Sequence, residues 1–212
     1  MTCGEEPHTH NSADGTCSHI PIVKINQKLS MSETILQPGQ KPTSNRSVMR
    51  LCDVDPASVS ILLSRFGLTL TMVPADKEIP GSFWGDEEAG LIGSELLVRV
   101  DTPLHSILHE TCHYICMDQN RREGLDTDAG GDYDEENAVC YLQILLSDHI
   151  EQFGRLRMLE DMDRWGYTFR LGSAQAWFER DAGDALAWLL QRNLINPQTE
   201  PCWTLNKDRK NV

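Results

Sequence analysis

The sequence lacks any apolar run close to the roughly 18 residues that a membrane-spanning helix needs. Its opening residues, MTCGEEPHTH, also lack the basic stretch followed by an apolar stretch that marks a secretory leader. Both absences lead us to expect a cytoplasmic protein with no membrane partner. Positive charge is scarce as well: 19 Lys and Arg stand against 32 Asp and Glu, a formal charge of -13. Nucleic-acid backbones and anionic lipid surfaces attract clustered cations, so neither is an expected partner. The short KDRK run near the C-terminus does not offset the deficit. A paired cysteine framework is missing too. The seven cysteines, Cys3, Cys17, Cys52, Cys112, Cys116, Cys140 and Cys202, are odd in number and scattered, which fits reduced thiols. No internal repeat or coiled-coil heptad is visible.

Within 212 residues, this leaves room for one globular domain with or without a tail. Residues 1–47 hold few large apolar side chains and many Ser, Thr, Asn, Gln, Pro and His, and they end in the linker-like LQPGQKPTSNRS. We read this segment as largely disordered or extended, with only IPIVKI (20–25) having strand character. Residues 48–212 are then the folded domain, long enough to bury a core.

Asp55 and Pro56 form a helix start, and Val59, Leu62, Leu63 and Phe66 recur at helical spacing until Gly67. LTLTMV, AGLIG and ELLVRV follow as two or three antiparallel strands separated by Gly and Pro. Thr102 and Pro103 are expected to cap a helix over 103–117. A polar loop runs to about 132, and DEENAVCYLQILLSDHIEQF reads as the longest helix. SAQAWFERDA and DALAWLLQRNLI complete the chain as a helical pair. The expected class is α+β, a small and mainly antiparallel sheet packed on the 103–117 helix, with a helical C-terminal half.

Chemistry concentrates in SILHETCHYIC, where His109, Glu110 and His113 form an HExxH motif. Two histidines four apart share one helix face and can both reach a tetrahedral zinc ion (Zn2+), while Glu110, about 100° around, can touch a water on the metal. Zinc lowers the pKa of such a water toward ~7, and Glu110 can take its proton to give a nucleophile for an amide carbonyl. Leu104, Ile107, Leu108, Thr111, Tyr114 and Ile115 occupy the opposite arc, giving the helix a core face and a separate ligand face.

A third ligand is needed, with one position left open. The HExxHxxGxxH pattern is absent, since Cys116 and Gln119 stand where its glycine and last histidine would fall, and Gln119 and Arg122 do not supply it in a shifted register either. Glu135 opens the long helix in an E-x-x-A run, with Ala138 small enough to let two helices approach. Its neighbour Glu136 takes the role if the helix start shifts by one or two residues. Asp126 or Asp128 in the loop would suit an aspartate-completed site.

The ordered pair resembles the gluzincin metallopeptidases, in which a glutamate on a following helix completes HExxH. ExxAxxYxxxLL from Glu135 to Leu146 resembles the corresponding helix of the ImmA/IrrE-like peptidases, and AGLIGSELLVRV is similar to the strand pair before their active-site helix. The resemblance spans about residues 85 to 150. Cys112 departs from it where a glycine is usual, as does Val139 where a polar residue is common. It implies a zincin-like fold, zinc ligands His109, His113 and Glu135, a catalytic Glu110, and hydrolysis of a peptide or protein substrate. Tyr133, Tyr141 and Tyr167 are candidates for stabilising the carbonyl oxygen, and ELLVRV for holding substrate by strand addition.

Other features carry less. His105 extends the histidine stripe by one turn, and Cys112 and Cys116 are expected to be buried thiols. The acidic DTDAGGDYDEE loop lacks the glutamate an EF-hand needs at its twelfth position, which here is Asn137. Cys3, His8, His10, Cys17 and His19 match no closed tetrahedral module.

Overall fold

Asp55 accepts a hydrogen bond from the Ala57 amide and Pro56 takes the first helical position, so α1 runs Pro56–Ser64 with Val59, Leu62 and Leu63 turned inward. Gly67, at φ +77°, reverses the chain after it. The structure, a computed structural model, describes residues 48–82 and 87–208. The 1–47 segment, with IPIVKI and the Cys/His cluster, lies outside the described residues. The class is α+β, as expected, with seven helices and one three-stranded sheet among the described residues. None of these helices is long and apolar enough to cross a membrane.

The sheet is mixed, which corrects the expectation of a mainly antiparallel one. Strands β1 (Thr69–Met72), β2 (Gly90–Ile92) and β3 (Glu95–Val98) lie in the order β1-β3-β2. β2 and β3 form a tight hairpin through Gly93, at φ +54°, and pair antiparallel. The long β1–β2 connection instead carries the chain across the sheet, so β1 lands beside β3 in the same direction. β3 is therefore an interior strand with both sides paired, and ELLVRV has no free edge for a substrate strand. The far side of β2 is also engaged. Leu91 donates to the Gly81 carbonyl at 3.1 Å and accepts from the Thr127 amide at 3.2 Å. Gly90 permits this crowding, since a Cβ there would sit 2.0 Å from the Pro80 carbonyl oxygen.

The β3–α2 turn is tied down before the next helix begins. Thr102 does not cap that helix; its hydroxyl accepts the Arg99 amide at 2.9 Å. The helix start is held by the beginning of the domain, where the Leu104 amide reaches the Met49 carbonyl and the Leu51 amide reaches the Thr102 carbonyl, both at 2.9 Å. Met49 is itself anchored through its amide to the fully buried Asp161 at 2.7 Å.

α2 (Leu104–Cys116) carries the HExxH motif, and its last four carbonyls, which have no partner inside a helix, are all accounted for. That of His113 accepts the Met117 amide, that of Tyr114 the Arg122 Nε, and that of Ile115 the Asn206 amide, each at 2.9 Å. The carbonyl of Cys116 accepts the Asn206 side-chain amide at 2.8 Å. Asn206 thus straps the end of the helix from 90 residues further along the chain.

The remaining helices are α3 (Gln119–Glu123), α4 (Tyr133–Ser147), α5 (Gly154–Trp165), α6 (Ala174–Arg180) and α7 (Gly183–Gln191). α3 lies inside the stretch expected to be a polar loop. The expected long helix stops at Ser147 rather than continuing to 153, because the chain turns there through successive tight bonds, His149 to Leu146 and Ile150 to Ser147. α5 follows, ended by Gly166 in the left-handed conformation. α4 is central and packs against α2, α5 and α7.

Removing the Asn206 side chain strands a buried carbonyl at the end of α2. Asn206→Ala should lower stability by about 1–3 kcal/mol, read as a fall in the midpoint of urea unfolding with an unchanged slope.

Candidate metal centre

Every residue of α2 is buried except Glu110, which is half-buried. The helix is pressed between the sheet and α4, so only one residue of its motif is reached by solvent. His109 and His113, one turn apart, bring their Nε2 atoms within 3.0 Å of each other with rings nearly perpendicular at 89°. A Glu110 carboxylate oxygen and one nitrogen of each histidine all lie within 4.8 Å of one another.

The third group comes from α4. Glu136 places Oε1 3.7 Å from His113 Nε2 and Oε2 4.0 Å from His109 Nε2, and Oε1 also accepts the Gly131 amide at 3.1 Å. Glu135, the carboxylate that the sequence ranks first, is turned elsewhere. Both its oxygens sit 2.8 Å from one guanidinium nitrogen of Arg121, and the other terminal nitrogen of Arg121 donates to the carbonyls of Ala129 and Gly130. The helix start fixes this division of labour. Asp132 caps α4 by accepting the Glu135 amide at 3.0 Å, and neighbouring side chains then diverge by about 100°. Gly131 lies flat against Glu135, where a Cβ would come within 2.5 Å of its carboxyl carbon. Asp126 and Asp128 stay with their own loop, accepting from the Thr127 hydroxyl at 2.9 Å and the Gly130 amide at 3.2 Å.

These donors are spaced as a tetrahedral metal site requires. Bonds of about 2.0–2.1 Å in a tetrahedron put neighbouring donor atoms roughly 3.3 Å apart, and the observed separations of 3.0, 3.7 and 4.0 Å bracket that value. Two imidazoles and a carboxylate suit a borderline cation.

Behind the donors lies Gln143, which is fully buried and has Oε1 2.7 Å from His109 Nδ1. The sequence reading missed it. Its signal was an amide in the otherwise apolar run AVCYLQILL, seven residues and two helical turns after Glu136. Tyr167 meets His109 edge-on at 5.9 Å, and burial pushes its phenol well above the usual range. His105 packs between Trp165 and Tyr167, at 4.7 and 5.8 Å between ring centres. Cys112 and Cys116 are buried free thiols, pushed up by burial and so kept protonated. Of the three tyrosines weighed as oxyanion donors, Tyr141 stacks in the core on Phe178 at 4.6 Å and Tyr167 is buried, leaving Tyr133 as the exposed one.

Compared with known proteins, the chain matches no family model, no curated protein and no solved structure.

Arg121→Ala would leave the buried Glu135 carboxylate without its cation and release the 124–132 loop. We expect a loss of about 3 kcal/mol, measured by denaturant unfolding at pH 7. Glu135→Gln in the same background should recover part of it by removing the uncompensated charge.

Proposed function

We propose that this chain is a zinc-dependent peptidase with His109, His113 and Glu136 as ligands and Glu110 as general base. The observation that carries this reading is the single solvent-reached residue of α2: a carboxylate beside two buried imidazole nitrogens, on the helix that supplies both. A purely structural site has no use for an acid at that position.

Zinc held there would supply a Lewis acid that polarises an amide carbonyl and raises the acidity of water. Glu110 accepts the proton from the attacking water and delivers it to the departing amide nitrogen, so that one water is added across the C–N bond. Burial of the two imidazoles keeps bulk water from their far side, and the Gly131 amide orients the Glu136 carboxylate. Tyr133, exposed on the first turn of α4, remains the candidate tyrosine for contact with a substrate. The order of parts, an HExxH helix followed by a helix bearing a glutamate, supports a gluzincin-type, zincin-like peptidase acting on peptide or protein. The likeness to ImmA/IrrE-like peptidases rests on the ExxA helix, with the ligand moved by one residue to Glu136.

Two measurements test the reading. The purified chain should hold one zinc per molecule after exhaustive dialysis, and Glu136→Ala should weaken zinc retention by at least ~10-fold, more than Glu135→Ala does. The reverse order would restore Glu135 as the ligand.

Glu110→Gln should keep its zinc and its melting temperature but lose peptide-library cleavage by at least ~100-fold, because an amide cannot accept the proton. Cleavage at the wild-type rate with zinc intact would sink the general-base role. Absence of cleavage by wild-type protein loaded with zinc would favour a metal-binding regulatory module.

A further inference from the structure

The two ring nitrogens of a histidine are not equivalent, and the group bonded to one decides what the other can do. His109 turns Nε2 toward His113 and Glu136, and Nδ1 toward Gln143. The amide of Gln143 has a fixed orientation. Its oxygen lies 2.7 Å from His109 Nδ1, and its nitrogen lies 3.8 Å from the sulfur of Met158, a group that accepts hydrogen bonds and cannot donate them. With the nitrogen on the thioether, the oxygen faces the imidazole. An amide oxygen only accepts, so Nδ1 must carry the proton and Nε2 must present a lone pair.

From this we infer that Gln143 is a positioning residue of the metal centre, which fixes His109 in its Nδ1–H form and aims the Nε2 lone pair at the space shared with His113 and Glu136. The inference rests on the zinc reading above for its purpose, but not for its geometry. Gln143 is wholly buried on α4, where the desolvation of its amide is offset by His109, by the Met158 thioether and by a side-chain hydrogen bond with Tyr167. The register is not incidental. Glu136 and Gln143 are seven residues apart, so one face of α4 delivers a ligand and the partner of another ligand to the same place on α2. Tyr167, edge-on to His109, closes the ring's side. The choice of an amide over a carboxylate also matters. A carboxylate partner would add negative charge and raise the ligand's basicity, whereas glutamine orients the ring while leaving it a neutral donor.

The test begins with the full-length wild-type chain stripped of metal, at pH 8. Long-range proton–nitrogen NMR correlations report the tautomer of each histidine, with His109 assigned by the loss of its signals in His109→Gln. We expect Nδ1–H for His109. In Gln143→Met, which keeps length and bulk but has no comparable acceptor, the Nε2–H form should appear, and affinity for added zinc chloride should fall by about 10–100-fold. Gln143→Glu, which keeps an acceptor oxygen, should retain the Nδ1–H form and bind zinc at least as tightly as wild type. An Nε2–H tautomer in the wild-type protein overturns the inference. So does an unchanged tautomer in a Gln143→Met variant that melts normally. Should that variant fail to fold, the wild-type and Gln143→Glu spectra still decide. An Nδ1–H His109 in a chain that binds no zinc would support the tautomer assignment while refuting the peptidase reading, so the two failures are told apart.

Discussion

Where α4 lies against α2, the side chains at 136 and 143, two helical turns apart on one face, determine what the histidines meet. Both helices are buried along almost their whole length, and any change in their separation would lengthen both contacts together. Close packing thus positions the polar groups; they do not hold the helices in place. The burial of a core supplies the free energy, and the hydrogen bonds set where it is spent in orientation.

Adjacent glutamates illustrate how little separates structure from chemistry. Glu135 and Glu136 share composition, helix and exposure to the same loop, yet the cap at Asp132 sends one into a buried ion pair with Arg121 and the other to the histidines. The ion pair holds the loop that provides the Gly131 amide, and that amide steadies Glu136. The first carboxylate therefore serves the second through the backbone between them.

Much of this was legible in the sequence. The HExxH spacing and the apolar arc opposite it are properties of a 3.6-residue period, and α2 begins and ends within a residue of where they placed it. The Asp55–Pro56 start, the two C-terminal helices and the buried thiols followed from equally local chemistry. What escaped was set by distant partners. The choice between Glu135 and Glu136 depends on a one-residue register and on Arg121, 14 residues away. The parallel pairing of β1 with β3 depends on the path of a long connection, which alternation does not encode. α5 was missed because its inward stripe, Met158, Leu159 and Met162, is narrow and set among charges, while Leu156 on the same helix faces solvent. Gln143 looked like an interruption in an apolar helix because its partner lies 34 residues earlier.

The Asn206 strap has a bearing on how the protein is made. A chain leaving the ribosome would expose the HExxH helix some ninety residues before the group that closes its carboxyl end has been synthesised. Until then, the helix terminus and its two histidines belong to a partly assembled core, with thiols and imidazoles open to whatever ions and chaperones are nearby. Contacts this distant in sequence form late and slow the final docking. The centre would therefore take its final form only after residue 206 has emerged, well after both histidines and Glu136.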